Sequence, residues 1–385
     1  MAESCLVKTL VLLVVAAAFA RPATGQEPGS LDAPQLYCGA GRPIPISVKA
    51  RDGRNVELVL LDALHETLAG PTEIRTRSVD LTEVMPEGIE AMIARGEAAW
   101  LQLLVDNEPV GAPLVVQPML TRLVPDTRRR LDPRNNQMRT FIDGWVSEHA
   151  DDEPPVEPTA PEVESAATDA RADSRATDEE SPRRLCSGFR VYTDADVRLE
   201  TSRGEMLIGL RPDAAPNTAW NFRHLVGGSF YDGVTFHRIV PRDREGEPFV
   251  IQGGDPLGTG YGGPGYWLPI EPSGLLHGVG IVSMARADDP DSAGSQFFVC
   301  LSRAGTARLD GQYCPFAQIV AGLDIVKAIA EVELEDVATG RPIDPPVIHR
   351  ATLVASPPRT PGEPRVYEEP KETVKPSEEP KRVPR

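Results

Sequence analysis

Three short stretches in the second half of the chain concentrate side chains able to act on a peptide bond. Phe236-His237-Arg238-Ile239-Val240 sets an arginine among apolar neighbours. Phe249-Val250-Ile251-Gln252-Gly253-Gly254-Asp255 and Gly294-Ser295-Gln296-Phe297-Phe298-Val299 add two amide side chains and several aromatics. One guanidinium, two amides and an apolar groove suit the recognition of a proline ring and the weakening of its peptide bond. Amide resonance puts a barrier of about 18–20 kcal/mol on rotation about that bond. X–Pro bonds populate both isomers but exchange them only over roughly tens of seconds or longer. A catalyst of the exchange needs no covalent intermediate. It must hold the ring and favour a twisted amide whose nitrogen has regained its lone pair, to which a fixed guanidinium can donate. An acceleration of ~10⁵ requires lowering the barrier by about 7 kcal/mol. One charge-assisted hydrogen bond does not supply that much, so differential binding of the twisted substrate must add the rest.

The elements that must position these groups are short strands. Residues 197–201 and 206–210 flank a turn at Ser202-Arg203-Gly204, a hairpin pattern. Residues 216–225 suit a helix with Pro216 in its first turn. Strand-like runs follow at 235–240, 249–252, 280–284, 296–301 and 316–320, then a helix at 323–329 and a closing strand at 347–354. Many short strands with two helices predict a mainly β unit over 190–355, a closed antiparallel barrel with helical caps.

The order of motifs in this unit resembles the cyclophilin family of peptidyl-prolyl cis–trans isomerases. The matching residues are Pro216-Asn217-Thr218-Ala219 with Asn221-Phe222, Tyr231-Asp232-Gly233, Phe236-His237-Arg238, the run from Phe249 to Asp255, Gly258-Thr259-Gly260, Ser283-Met284-Ala285-Arg286-Ala287, Gly294 to Phe298, and Leu309-Asp310-Gly311. The resemblance covers about 160 residues. It implies that Arg238 and Gln252 are catalytic, with Arg238 the donor to the proline nitrogen. It further implies that Phe249, Val250, Phe298 and Leu309 line the proline pocket, Gln252 and Gln296 orient Arg238 and the substrate backbone, and Ala285, Arg286 and Tyr313 complete the substrate-binding set. Val250 stands where the family often has methionine, and Arg286 where it often has asparagine. Tyr313 stands where a histidine is frequent, and Arg308 where a tryptophan is common, which bears on cyclosporin binding more than on turnover. Residues 241–248 form an enlarged loop whose charges could gate the groove or simply be solvated. No metal or organic cofactor is implied, and the expected partners are proline-containing polypeptide clients. The alternative is a non-catalytic cyclophilin-like module that binds proline-containing segments without turnover.

The rest of the chain reads as supports and connectors. Residues 1–25 form a secretory signal pattern: Lys8, an apolar run over 10–20, then Ala18-Phe19-Ala20 and Ala23-Thr24-Gly25 as small-residue cleavage sites. The run is shorter than the roughly 20 residues that span a bilayer, so stable membrane insertion is not expected once the signal is cleaved. An extracytoplasmic, secreted or periplasmic location follows. Residues 37–118 read as a small, mostly β domain, a sandwich, with a short helix at 87–95 and a turn at Asp106-Asn107-Glu108-Pro109. A basic connector centred on Arg128-Arg129-Arg130 and an acidic linker occupy 119–189. Residues 148–181 carry 12 Asp/Glu against two Arg, more than half of the net charge of −17. That composition cannot offset the entropy of ordering it, and an acidic chain excludes nucleic acid as a partner. A Pro/Glu/Lys-rich tail over 356–385 is expected to be disordered.

Rival chemistries find little support. Gly258-x-Gly260-x-x-Gly263 matches a dinucleotide fingerprint formally, but Pro264 and Gly265 oppose the helix that must follow it. The six histidines show no paired metal-ligand spacing, His237 reads as structural, and Ser295 has no nucleophile elbow. Cys38, Cys186, Cys300 and Cys314 permit disulfides in three connectivities, or, for Cys300, a buried thiol.

Overall fold

A computed structural model describes residues 29–51, 53–134, 136–147, 185–365 and 367. The signal pattern, the acidic linker up to residue 184 and the tail from residue 368 lie outside the described residues.

The first unit is mostly β. Its strands are β1 (Gly29–Asp32), β2 (Tyr37–Gly39), β3 (Pro45–Ala50), β4 (Val56–Leu61), β5 (Thr67–Glu73), β6 (Ser78–Asp80), β7 (Ala99–Val105) and β8 (Glu108–Leu120). Helices α1 (Leu81–Val84) and α2 (Pro86–Arg95) lie between β6 and β7. Asp80 accepts from the Thr82 N–H to start α1, and Gly96, at φ 70°, ends α2 in the left-handed conformation that glycine adopts without a Cβ penalty. Asp106 and Asn107, both at positive φ, make the two-residue turn between β7 and β8 that a right-twisted hairpin favours.

Two features depart from the sequence reading. The basic stretch is itself a hairpin of β9 (Leu123–Leu131) and β10 (Met138–Ser147), paired antiparallel in a two-stranded sheet of their own. Arginines on an exposed strand satisfy the ladder as well as apolar residues do, so their charge hid the strand. Second, β11 (Cys186–Thr193) lies beyond the acidic linker yet inserts between β2 and β8, giving a six-stranded order β2-β11-β8-β7-β4-β5. Only Asp194 separates it from the next unit, so a boundary at 190 cuts through a strand.

The tail also departs at its start. Every residue of β7 is buried, because both faces of this strand are covered. Leu101, Leu103 and Val105 enter the first unit's core, while Trp100 and Gln102 face residues 356–365. The Arg359 guanidinium lies 3.8 Å from the centroid of the Trp100 ring and donates to Asp194 at 3.4 Å. Its main-chain N–H donates to Gln102 Oε1 at 2.8 Å. Arg365 forms a two-pronged pair with Asp196 at 2.8 and 2.5 Å. The first ten residues of the tail are therefore a packed strap across the junction of the two units.

The second unit contains β12 (Ala195–Thr201), β13 (Gly204–Leu210), α3 (Pro216–Gly227), β14 (Arg238–Arg242), β15 (Pro248–Gly253), β16 (Ile281–Met284), β17 (Phe297–Cys300), α4 (Arg303–Thr306), β18 (Cys314–Ala321), α5 (Leu323–Ala330), the small pair β19 (Leu334–Asp336) and β20 (Arg341–Pro342), and β21 (Ile348–Ala355). Eight strands form one curled sheet in the order β14-β15-β17-β16-β18-β13-β12-β21. It is a half-barrel whose end strands are not ladder partners. The segment before β14 meets the first residue of β21 instead: the Gly233 N–H donates to Ile348 O at 2.7 Å and the Ile348 N–H to Val234 O at 2.8 Å. Helix α3 packs on β18 and β21, and α5 on β13, β14 and β15. Glu271 caps α3 by accepting from the Thr218 N–H at 2.6 Å, a carboxylate against the positive end of the helix. Phe222 of α3 packs on Phe297, Phe316 and Tyr231 with centroids 5.0–5.3 Å apart. Each of these fully buried side chains contributes about 1.5–3 kcal/mol. Among the described residues Cys38, Cys186, Cys300 and Cys314 are free thiols, and burial pushes that of Cys300 up to about 12.

Candidate active site

The register of four strands sorts the site. Arg238 of β14 is opposite Gln252 of β15, which is opposite Phe298 of β17, which is opposite Ser283 of β16. One position along, Ile239, Ile251 and Val299 enter the main core. Because strand side chains alternate between faces, the outer face carries Arg238, Val240, Val250, Gln252, Phe298 and Cys300. Here Val250, Ile281, Phe298 and Cys300 form a second apolar cluster, against which Val240, Phe249, Ala285, Leu309 and Tyr313 pack. Phe298 meets the Tyr313 ring edge-on at 5.6 Å. Every apolar residue expected in the pocket thus falls in one patch.

The polar groups form a directed relay along its rim. The Gly260 and Gly262 carbonyls each accept from Gln296 Nε2 at 2.9 Å. Gln296 Oε1 accepts from Gln252 Nε2 at 3.1 Å, and Gln252 Oε1 accepts from Arg238 Nη1 at 3.1 Å. Fixing one amide fixes the next, so the guanidinium is held by backbone carbonyls two side chains away. Arg238 uses one of its donors in this way among the described residues. Half-burial lowers its pKa, with Tyr313 opposing, but a guanidinium remains charged at neutral pH.

The glycine loop behind Gln296 is wound around Asp255, which accepts from the N–H groups of Leu257 and Thr259 at 2.7 and 2.8 Å. Burial pushes the Asp255 carboxyl up, but bonds from Leu257, Gly260, Gly262 and Thr259 outweigh it and hold the pKa below the usual value. A Cβ at Gly262 would fall 1.9 Å from Asp255 Oδ1, so only glycine fits there. No helix follows these glycines, and they serve a carboxylate anchor rather than a dinucleotide.

Two arginines sit differently from expectation. The Arg286 guanidinium turns away along the protein surface, donating to Gln312 O at 3.0 and 2.9 Å and to the Ala287 and Asp288 carbonyls, and lies 4.9 Å over the Tyr313 ring. Its side chain supports a pocket wall. Arg308 covers the Phe249 ring at 4.2 Å and pairs with Asp243 at 2.8 Å. Asp243 in turn accepts from the Glu245 and Glu247 N–H groups, so the charged loop at 241–248 is a tied turn.

Sequence reasoning missed the role of His277 and its contacts with Ser283 and Asp310, which entered only as motif members. The buried His277 ring stacks on Phe298 at 5.9 Å, with Nδ1 3.0 Å from Asp310 Oδ1 and Nε2 3.1 Å from Ser283 Oγ. A carboxylate only accepts, so Nδ1 carries the proton and Nε2 accepts from the hydroxyl. Burial lowers the His277 pKa, with Asp310 opposing. The partners lie 33 and 6 residues away, and no local pattern signals the triad. Burial pushes the Asp310 carboxyl up, but bonds from Arg303 and His277 together with the Arg303 charge prevail, and its pKa falls from 3.8 to about 2. With the folded pKa below the unfolded one, the contribution is complete above about pH 4 and is lost as pH falls toward about 2. The urea midpoint of the parent is expected to drop over that window more than that of Asp310→Asn. Parallel curves would exclude this contribution.

Comparison with known proteins assigns the second unit to a family. Residues 196–353 match the family model of the cyclophilin-type peptidyl-prolyl cis–trans isomerases. The chain is 42% identical over 165 residues to peptidyl-prolyl cis-trans isomerase ppi1 of Schizosaccharomyces pombe, covering 42% of this chain and 99% of the relative. It is 43% identical over 120 residues to peptidyl-prolyl cis-trans isomerase B of Bacillus subtilis, covering 31% of this chain and 78% of the relative. A crystal structure of a Cryptosporidium parvum cyclophilin-type isomerase aligns with a TM-score of 0.38 at 29% identity, over 42% of this chain and 99% of that one. The chain belongs to the cyclophilin family. It is a peptidyl-prolyl cis–trans isomerase, with an additional β unit, a hairpin and a strap built around the family's domain.

Proposed function

We propose that this isomerase acts on X–Pro bonds of exported proteins and assists their folding, with proline-containing polypeptides as its clients. The observation that carries the reading is the relay from the glycine-loop carbonyls through Gln296 and Gln252 to Arg238, set at the edge of the apolar patch. Arg238 donates to the proline nitrogen as the amide twists, and Gln252 holds it in place. Phe249, Val250, Phe298, Leu309 and Tyr313 hold the ring, Ala285 and Gln296 the neighbouring backbone, and Arg286 supports Tyr313 from behind. The reaction exchanges conformers without making or breaking a covalent bond, so no step calls for a metal or organic cofactor. Export rests on Lys8, the apolar run at 10–20 and the small-residue sites after it.

Two measurements test this. The full chain should accelerate the slow, proline-limited refolding phase of a secreted model protein. N-terminal sequencing of the chain recovered from cell fractions should give an extracytoplasmic protein beginning after residue 20. An unaccelerated phase overturns the folding role, and an intact Met1 in the cytoplasmic fraction overturns export.

A further inference from the structure

The β9–β10 hairpin leaves the first unit and grips the second at the border of the candidate groove. Arg122, just before it, donates to both carboxylate oxygens of Asp291 at 2.6 Å. Thr140 donates its N–H and its hydroxyl to Asp288 at 2.9 and 3.0 Å. The Ile142 N–H donates to Gln312 Oε1 at 3.0 Å while Gln312 Nε2 donates back to Ile142 O at 2.9 Å. At the hairpin tip, the Arg134 carbonyl accepts from Arg244 at 2.7 Å. Ile142 is buried with the second unit's core, and Trp145 packs beside it.

The Gln312 contact differs in kind from the others. A side-chain amide that bonds both the N–H and the C=O of one strand residue takes the place of a neighbouring strand. The same residue's main-chain carbonyl holds the Arg286 guanidinium, which covers Tyr313, whose ring abuts Phe298. Strand β10, Gln312, Arg286, Tyr313 and the pocket floor thus form one continuous set of contacts. The tip reaches the opposite border, since Arg244 belongs to the turn that Arg308 ties down over Phe249.

We propose that the hairpin is a built-in wall support of the substrate groove, and that Gln312 is the positioning residue through which it sets Arg286 and Tyr313. This rests on the groove reading given above. Freed from Ile142, Gln312 no longer fixes its own carbonyl, Arg286 loses its seat, and Tyr313 can swing from the pocket. Substrate binding then weakens while the relay to Arg238 is untouched.

The test uses the full chain, short X–Pro peptides, and the hydrogen exchange of the Ile142 amide as a report of hairpin docking. In Gln312→Ala the Ile142 amide exchanges faster, and KM rises roughly 5–10-fold with kcat within about 2-fold. Gln312→Glu keeps the acceptor for the Ile142 N–H and should show a smaller rise. Thr140→Val, at a half-exposed position, loosens the same hairpin and should raise KM, whereas Thr140→Ser keeps the hydroxyl and should not, which preserves the test if Gln312→Ala fails to fold. Faster exchange at Ile142 with KM unchanged in these variants would overturn the proposal. Arg238→Ala separates the two readings: if it remains active, the groove assignment fails, and if it is inactive while the hairpin variants are silent, only the hairpin proposal fails.

Discussion

Replacing Arg238 with alanine lowers kcat/KM on X–Pro peptides by roughly 10²–10³-fold, the loss expected when one preorganised donor to a developing charge is removed. The measurement is the exchange of a short peptide followed at equal enzyme concentrations, with circular dichroism as the control for folding. The fold should persist, because Arg238 opens an edge strand and is half-buried. Arg238→Lys should recover little. The guanidinium donates to Gln252 with one arm and keeps others for substrate, whereas an ammonium offers a point charge without that fork. Gln252→Ala should cost less, about 10-fold, since it removes orientation and leaves the donor. A parent-like rate for Arg238→Ala would move the chemistry off this relay altogether.

Arg359→Ala is expected to destabilise the chain by about 3–5 kcal/mol, the cost of removing one partner from a buried ion pair. Its guanidinium and the Asp194 carboxylate are 7% and 5% exposed. Without Arg359, Asp194 keeps the Trp100 indole N–H at 3.0 Å but loses its buried cation. Ending the chain at Ala355 removes Arg365 as well and strips Asp196, which is 3% exposed. Thermal unfolding should register either change, at roughly 2–4 °C for each kcal/mol in a unit of this size. Burial already pushes the Asp196 carboxyl above its ordinary 3.8 against the pull of Arg365. Removing that pull alone, in Arg365→Ala, raises it further, so the electrostatic part of that variant's defect should be small at pH 3 and grow as pH rises and the unfolded chain ionises. A truncated chain as stable as the parent at neutral pH would show that the strap is ornamental.

The site was legible because its residues lie in strands whose apolar runs are dense and whose motifs keep their order. Phe249 to Asp255 and Gly294 to Phe298 announce themselves, and parity then puts Gln252 and Phe298 on one face. Pairing was legible only through the resemblance, which sets Gln252 beside Arg238; no local pattern matches His277 to an aspartate 33 residues later. The strap was hidden by averaging. Residues 356–365 hold two arginines and one glutamate, but composition taken to the end of the chain reports the Glu/Lys-rich remainder. The hairpin was hidden by charge, since Arg128-Arg129-Arg130 looks like a solvated connector until Leu131 is seen opposite Met138. In the first unit, the outer face of β7 owes its burial to residues more than 250 positions away.

The placement of β11 bears on how the protein is made. The central sheet of the first unit lacks an interior strand until residues 186–193 exist, because β11 fills the gap between β2 and β8. During vectorial synthesis that sheet must wait, with the edges of two strands unpaired, while the acidic stretch is translated. A cut within residues 148–184 of the finished protein should leave two pieces that stay together through the β2–β11–β8 ladder, the hairpin contacts and the strap, and expressing those pieces separately should reconstitute the whole.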